Sequence, residues 1–246
     1  MGEGRGTCCP PALPSPYCKK GITVHDSSET DPLALLREGI AALGLKLPPA
    51  TLEQFLVYLT ELQLWNAKIN LTGLKTDRDI VIKHFLDSLA VLPFLADAAS
   101  LLDLGSGAGF PGLVLKLAWP QVALTLVEAR QKKASFLEYL ASRFRLTWVE
   151  VVQTHLTPSL ARQRQPKVAA VVSRAALILP RLLEVAAPLL APEGVVLALK
   201  GAHLAGIELE TARSACPLLG LGPLEQQQYH LPISGEPRLL VMARKL

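Results

Sequence analysis

Cysteine is scarce and badly placed for a scaffold. The 246-residue chain has four. Cys8, Cys9 and Cys18 lie in a proline-rich start, and Cys216 stands alone near the end. That excludes a disulfide framework and fits a reducing compartment, so a cytoplasmic protein is expected. Adjacent Cys8 and Cys9 lack the two-residue gap usual between metal ligands, and no paired Cys/His set follows, so no metal centre is expected. Long apolar runs are missing too. The longest candidate, 185–199, is broken by Pro188, Pro192, Glu193 and Gly194, short of the ~18 uncharged residues a membrane span needs. No apolar segment opens the chain, so no secretory signal is expected. There is no internal repeat, nucleophile elbow, Walker loop or Cys/His catalytic pairing. Charged residues make up only 19% against 50% hydrophobic, so a sizeable core is available. The net charge of +4 permits a nucleic-acid partner without requiring one.

Three regions follow from the pattern along the chain. Residues 1–30 carry Pro10, Pro11, Pro14 and Pro16 with no apolar period, which predicts a disordered extension. Residues 31–98 read as a helical cap. Asp31 is a good N-cap, Pro32 suits the first helical position, and Gly44 is a stop. Thr51 and Gln54 have capping-box spacing and predict the start of a second helix there. A third helix is predicted over 79–92, ending at Pro93. From 99 to 246, apolar strands alternate with amphipathic helices. Strands are predicted at 101–104, 123–128, 147–152, 168–173 and 195–200, and helices at 112–118, 132–144 and 179–190. The β-branched runs lack in–out alternation, which argues for a parallel sheet covered on both faces, an α/β class. Segments 226–231 and 239–244 suggest a terminal antiparallel hairpin, and 160–167 a polar connection.

The most informative stretch is LLDLGSGAGFPG at 101–112. A strand ends at Asp103, glycines alternate at Gly105, Gly107 and Gly109, and a helix start follows. Such a turn brings backbone close to a nucleotide-like ligand. Gly107, Gly109 and Gly112 also fit the spacing of dinucleotide enzymes, so an oxidoreductase remains an alternative. A carboxylate at the mouth, supplied by Asp103, would repel a pyrophosphate but suit S-adenosylmethionine, which has a sulfonium, an ammonium and a ribose. Glu128 ends the second strand about twenty residues on, where an acid accepts ribose hydroxyls or, alternatively, caps the next helix. Arg174 and Lys200 end later strands, as site residues or as surface charges. Basic residues are expected to gather on the same rim: Arg130, Lys132 and Lys133, then Arg143, Arg145, Arg162, Arg164 and Lys167. That would make a phosphate-contacting surface, with a solvated rim as the alternative. His84 and Asp87, three apart on one helix, suggest a local hydrogen bond rather than a metal pair.

Taken in order, WNAKINLT, HFLDSL, DLGSGAGFPG, VEARQKKASFL, SRA and LKG resemble the bacterial RsmG family, also called glucose-inhibited division protein B. The resemblance runs from about residue 33 to the end. It implies a class I methyltransferase fold: a Rossmann-like, doubly wound, mostly parallel seven-stranded sheet with an N-terminal helical cap. It also implies S-adenosylmethionine-dependent methylation of guanine N7 at one position of small-subunit (16S) ribosomal RNA, with the RNA or the assembled subunit as substrate; a monomer is expected. Implied cofactor contacts are Gly105, Phe110 and Arg174, the last also the positioning candidate, with Leu156 and Thr157 after the third strand. Asp103, Gly107 and Glu128 complete the expected cofactor set. Arg130, Lys132, Lys133 and Lys200 are the expected RNA contacts. Two departures stand out. The segment Leu156-Thr157-Pro158 lacks the family's acid, and Ala169 replaces its fourth-strand Asp. A ribosome-binding protein with reduced catalysis is therefore a further alternative.

Overall fold

The computed structural model describes residues 31–95 and 98–246. The extension 1–30, with Cys8, Cys9 and Cys18, lies outside the described residues. Helix α1, Pro32–Ala42, starts as its local signals dictate. The Asp31 carboxylate accepts the Leu33 N–H at 3.0 Å, and Gly44 leaves the helix at φ +70°. Helix α2 covers Pro49–Ile69. It begins two residues before the expected Thr51, which is buried inside its first turn. Pro49 sets that start, because its ring fixes a helical φ and its missing N–H is not needed there; no capping box forms. Asn70 ends α2 in the left-handed conformation.

The third helical stretch is composite. Thr76 caps α3, Asp77–Ile80; a π-helical segment, Val81–Leu86, follows; then comes α4, Asp87–Leu89. The remaining elements alternate: β1 Ser100–Leu104, α5 Gly112–Ala118, β2 Ala123–Glu128, α6 Gln131–Arg143, β3 Val149–Gln153, α7 Pro158–Gln163, β4 Val168–Arg174, α8 Leu179–Ala186, β5 Leu190–Gly201, α9 Gly206–Leu218, β6 Glu225–His230 and β7 Pro237–Arg244. Two helices were not legible in sequence. α7 is a single turn and a half begun by Thr157 and Pro158, too short for a period to show. α9 buries only Ala212 and Cys216, so its apolar stripe is thin.

Among the described residues seven strands run in the order β3-β2-β1-β4-β5-β7-β6, parallel through β5 and antiparallel in the last two pairs. Alternate residues of each strand feed opposite faces: Leu101 joins one buried cluster and Leu102 the other. One face is covered by α1, α2, the π-helical segment, α5 and α6, the other by α7, α8 and α9. The cap therefore shares a core with the sheet. Leu35, Phe55, Phe85, Leu113, Phe136 and Leu240 belong to one cluster. Among the described residues no helix is long and apolar enough to cross a membrane.

Candidate active site

The carboxyl ends of β1, β2, β3, β4 and β5 open onto a cleft of about 980 Å³, where an open α/β sheet places its ligands. Its floor is the glycine turn. Gly105, Gly107 and Gly109 all have positive φ, a region a side chain disfavours. A methyl group on Gly105 would also run into the Ala176 Cβ, so that glycine lets the loop after β4 close over the turn. Gly112 meets a different limit. Its added Cβ would sit 2.7 Å from the Asp103 carboxylate and 2.8 Å from Leu126, so it lets α5 pack tightly on the sheet.

Asp103 corrects the sequence expectation. Its carboxylate does not line the cleft. It is fully buried beneath the turn, where Oδ2 accepts the Gly112 N–H at 2.9 Å and Oδ1 has no partner. Burial pushes its pKa up to about 7, against the opposing effects of the Gly112 N–H and Arg174. Asp103 thus tethers the start of α5 and contributes no charge at the mouth.

The distinction between ligands rests instead on the turn's own donors. Gly105 and Ser106 N–H both reach the Val127 carbonyl, at 2.9 and 3.0 Å. Gly109 and Phe110 N–H both reach the Ser106 carbonyl. Gly107 N–H donates to Glu128 Oε2 at 2.9 Å. A pyrophosphate needs a nest of free N–H groups, and this turn has committed nearly all of its own inside the chain. The donor set fits a ligand with hydroxyls and positive charge, as S-adenosylmethionine has, and disfavours the dinucleotide alternative. Glu128 is buried; its Oε1 also accepts the Arg130 N–H at 2.8 Å. Each oxygen keeps acceptor capacity in the cleft that Glu128 lines.

The cap forms the other wall. Phe110 is stacked between Tyr58, at 5.2 Å, and His84, at 4.5 Å, with the Arg174 guanidinium 5.3 Å from its ring. The Tyr58 hydroxyl donates to the Ala108 carbonyl at 2.5 Å, pinning α2 to the turn. Burial lifts the Tyr58 pKa well above the ordinary range, so the phenol stays neutral. Burial and the Arg174 charge hold His84 at about 3. Arg174 Nη1 donates to the Lys83 carbonyl at 2.8 Å and lies 3.5 Å from Asp87 Oδ2. Asp87 in turn accepts the Tyr229 hydroxyl at 2.7 Å and faces Arg238 Nε at 3.8 Å. His84 and Asp87 are thus linked through Arg174, in place of the expected local bond.

Of the expected residues, Gly105, Gly107, Phe110, Glu128, Leu156, Arg174, Arg130, Lys133 and Lys200 line the cleft. Thr157 does not. Its side chain caps α7, accepting the Leu160 N–H at 3.3 Å. Lys132 is exposed on α6 outside the cleft lining. Lys200 is bound to the Leu177 carbonyl at 2.9 Å and to Glu208 at 3.3 Å, so part of its charge is already answered. Ala169 is the second residue of β4 and lies away from the cleft; that departure does not touch the site. The expected single basic rim divides. Arg164 and Lys167 line a groove with the strand starts Ser100, Ala123, Val149 and Val168, at the opposite sheet edge, because α7 runs back along the sheet before β4. Arg143 ends α6 and Arg145 follows it, in the same sense, and Arg143 pairs with Glu61.

Sequence reasoning missed Tyr58, Thr72, Lys83, Tyr229 and Arg238. Thr72 and His84 lie in WNAKINLT and HFLDSL, neither of which was assigned a site residue, yet both residues line the cleft. The order of those two segments ahead of the glycine turn was the available signal.

Comparison with known proteins agrees with this geometry. The family described as GidB, rRNA small subunit methyltransferase G, matches residues 51–234. The ribosomal RNA small subunit methyltransferase G of Geobacter sp. (strain M21) is 38% identical over 208 residues, covering 85% of this chain and 95% of that protein. The protein of the same name from Myxococcus xanthus is 37% identical over 210 residues, covering 85% and 95%. Among solved structures, the O-methyltransferase from Bacillus cereus in complex with SAH aligns with a TM-score of 0.56 at 17% identity, covering 77% of this chain and 91% of that one. Precorrin-6y C5,15-methyltransferase from Geobacter metallireducens aligns at 0.51 and 16%, covering 72% and 92%. These two likenesses speak for the class I methyltransferase fold alone. The match over most of the chain shows that it belongs to the rRNA small subunit methyltransferase G (GidB) family, enzymes that depend on S-adenosylmethionine.

Proposed function

We propose that this rRNA methyltransferase methylates N7 of one guanine in 16S ribosomal RNA, using the cleft above the glycine turn. The observation that carries the reading is Glu128, which holds the turn by Gly107 and still lines the cleft. When bound, S-adenosylmethionine supplies an electrophilic methyl group on a sulfonium. Glu128 would accept its ribose hydroxyls, which donate to a carboxylate more strongly than to a neutral acceptor. Gly105, Gly107 and Phe110 would present the turn's surface to it. Leu156, beside Thr154 and His155, would supply an apolar shelf for the adenine. The family acid absent at 156–158 is not required for such a shelf.

Guanine N7 carries a free lone pair at neutral pH, so no proton need leave before it attacks. The chain's task is then positioning of two reactants in the cleft. His84, held neutral by burial and Arg174, is not asked to act as a base. The guanine must be unpaired or flipped outward for its N7 to enter the cleft. Arg130 and Lys133 on the rim, with exposed Lys132 beside them, would meet the flanking phosphates. We read the enzyme as a cytoplasmic monomer acting on the small subunit or its RNA.

Tritiated methyl transfer to small subunits from cells lacking the protein tests this directly. Borohydride and aniline cleavage should reveal one methylated guanine, absent without the enzyme. Transfer to free nucleosides or short peptides at matching rates would refute it. No transfer at all, with S-adenosylhomocysteine still bound, would favour a ribosome-binding role.

A further inference from the structure

The hydrogen bonds around His84 assign it a protonation state and a task, the task resting on the cleft being the cofactor site. His84 lies in the π-helical segment, and its two ring nitrogens meet different partners. Nδ1 is 3.0 Å from Arg174 Nη2, a group that only donates. Nδ1 must therefore accept and carry no proton. Nε2 is 2.8 Å from Thr72 Oγ1, which also accepts the Leu74 N–H at 3.2 Å. The imidazole proton then sits on Nε2 and points to Thr72. Nδ1 is also 3.2 Å from the Lys83 carbonyl, a contact only the other tautomer could use. The shorter Arg174 contact excludes that tautomer, since a guanidinium cannot accept.

Arg174 is clamped from three sides: by His84, by the Lys83 carbonyl and by Asp87. Asp87 is itself buried and held by Tyr229 from β6 and Arg238 from β7. Lys83 turns its ammonium away, to Asp79 at 3.0 Å and Glu236 at 3.1 Å. The charged groups near the His84 ring are thus Arg174 from β4 and Asp87 from α4, with Arg238 beyond Asp87. The clamp commits three of the five guanidinium N–H donors. The other two remain for a ligand in the cleft that Arg174 lines.

We propose that His84 is a neutral positioning residue, fixed as the Nε2–H tautomer between Thr72 and Arg174, and that with Asp87 it presents the free Arg174 donors to an acceptor oxygen in the cleft. Two oxygens offer that chemistry: the carboxylate of the cofactor and O6 of the target guanine.

Long-range proton–nitrogen correlation spectra of the full chain, labelled with 15N-histidine, test the state directly. His84, identified by its loss in a His84→Asn spectrum, should show a protonated Nε2 and a bare Nδ1. That pattern should hold from about pH 7.5 to about pH 5.5, where an ordinary histidine titrates. An Nδ1–H tautomer, or titration near the ordinary value, would overturn the proposal. The task is tested by His84→Leu, which removes the acceptor, and His84→Asn, whose Oδ1 can replace it. His84→Leu should lose on the order of 10- to 100-fold, the factor expected for a lost hydrogen bond to a charged group. His84→Asn should recover most of that loss. A fall in S-adenosylhomocysteine affinity supports the cofactor carboxylate as the partner. Unchanged affinity with slower methyl transfer to small subunits supports guanine O6. A His84→Leu protein equal to wild type in both assays would end the positioning role. A wild-type chain that binds no S-adenosylhomocysteine would instead remove the cofactor reading, and this proposal with it; the tautomer spectrum is read independently of that result.

Discussion

Glu128 and Gly107 are joined by a hydrogen bond of 2.9 Å from the glycine N–H to Oε2. The bond links the end of β2 to the turn after β1. It makes one carboxylate both a strut of the site and a candidate acceptor for ligand hydroxyls. Glu128→Ala should weaken S-adenosylhomocysteine binding by ~1.5–3 kcal/mol, the range for a lost bond to a charged acceptor. Calorimetric titration with a 2′,3′-dideoxy analogue completes the test as a double cycle. The analogue should bind wild type and variant with similar affinity. A variant that still prefers the hydroxylated ligand as strongly as wild type would leave Glu128 with the strut role alone.

Gly105 and Ala176 form a second pair. Gly105 has φ +76°, and its absent Cβ leaves the place taken by the Ala176 methyl. Gly105→Ala should cost about 1–3 kcal/mol, from left-handed strain and the collision together. Adding Ala176→Gly should remove the collision and leave the strain, so part of the loss should return. Denaturant unfolding of the two single variants and the double reads this out. Strict additivity would mean the two loops do not touch.

Asp103 makes stability depend on pH in an unusual direction. Burial raises its folded pKa from 3.8 to about 7, so the folded chain holds that proton more tightly than the unfolded one. Its contribution is complete below about pH 4 and is lost as pH rises toward 7. Asp103→Asn keeps an oxygen for the Gly112 N–H and cannot titrate. Wild type should therefore lose stability relative to this variant across that interval, by a few kcal/mol at most. Parallel stability curves would show that the carboxyl titrates normally.

The two basic edges should behave differently toward RNA. Arg130 and Lys133 line the cleft. Replacing both by Ala should lower the salt slope of RNA binding by up to about two, one for each phosphate that is no longer neutralised. Replacing Arg145 and Arg162, exposed residues where the chain has run back to the opposite edge, should leave the slope unchanged. Filter binding across a salt series decides. Equal effects from both pairs would mean that RNA wraps the molecule.

Much of this enzyme is determined by short stretches of its sequence. Asp31 and Pro32 start α1, strand and helix periods place the β/α alternation, and Asp103–Gly112 makes the turn, because each signal acts through neighbours a few residues apart. Glu128 was legible for the same reason, since one βαβ unit sets its distance from the glycines. What only the tertiary structure decided joins segments far apart in the chain. Asp103 points beneath the turn because α5 packs close enough to claim its carboxylate. The basic residues divide between two edges because each helix returns the chain to the far side of the sheet. His84, Asp87, Arg174 and Tyr229 meet only after more than a hundred residues have folded between the first and the last. No local preference encodes such a meeting; it follows from closing the sheet and burying the cap against it.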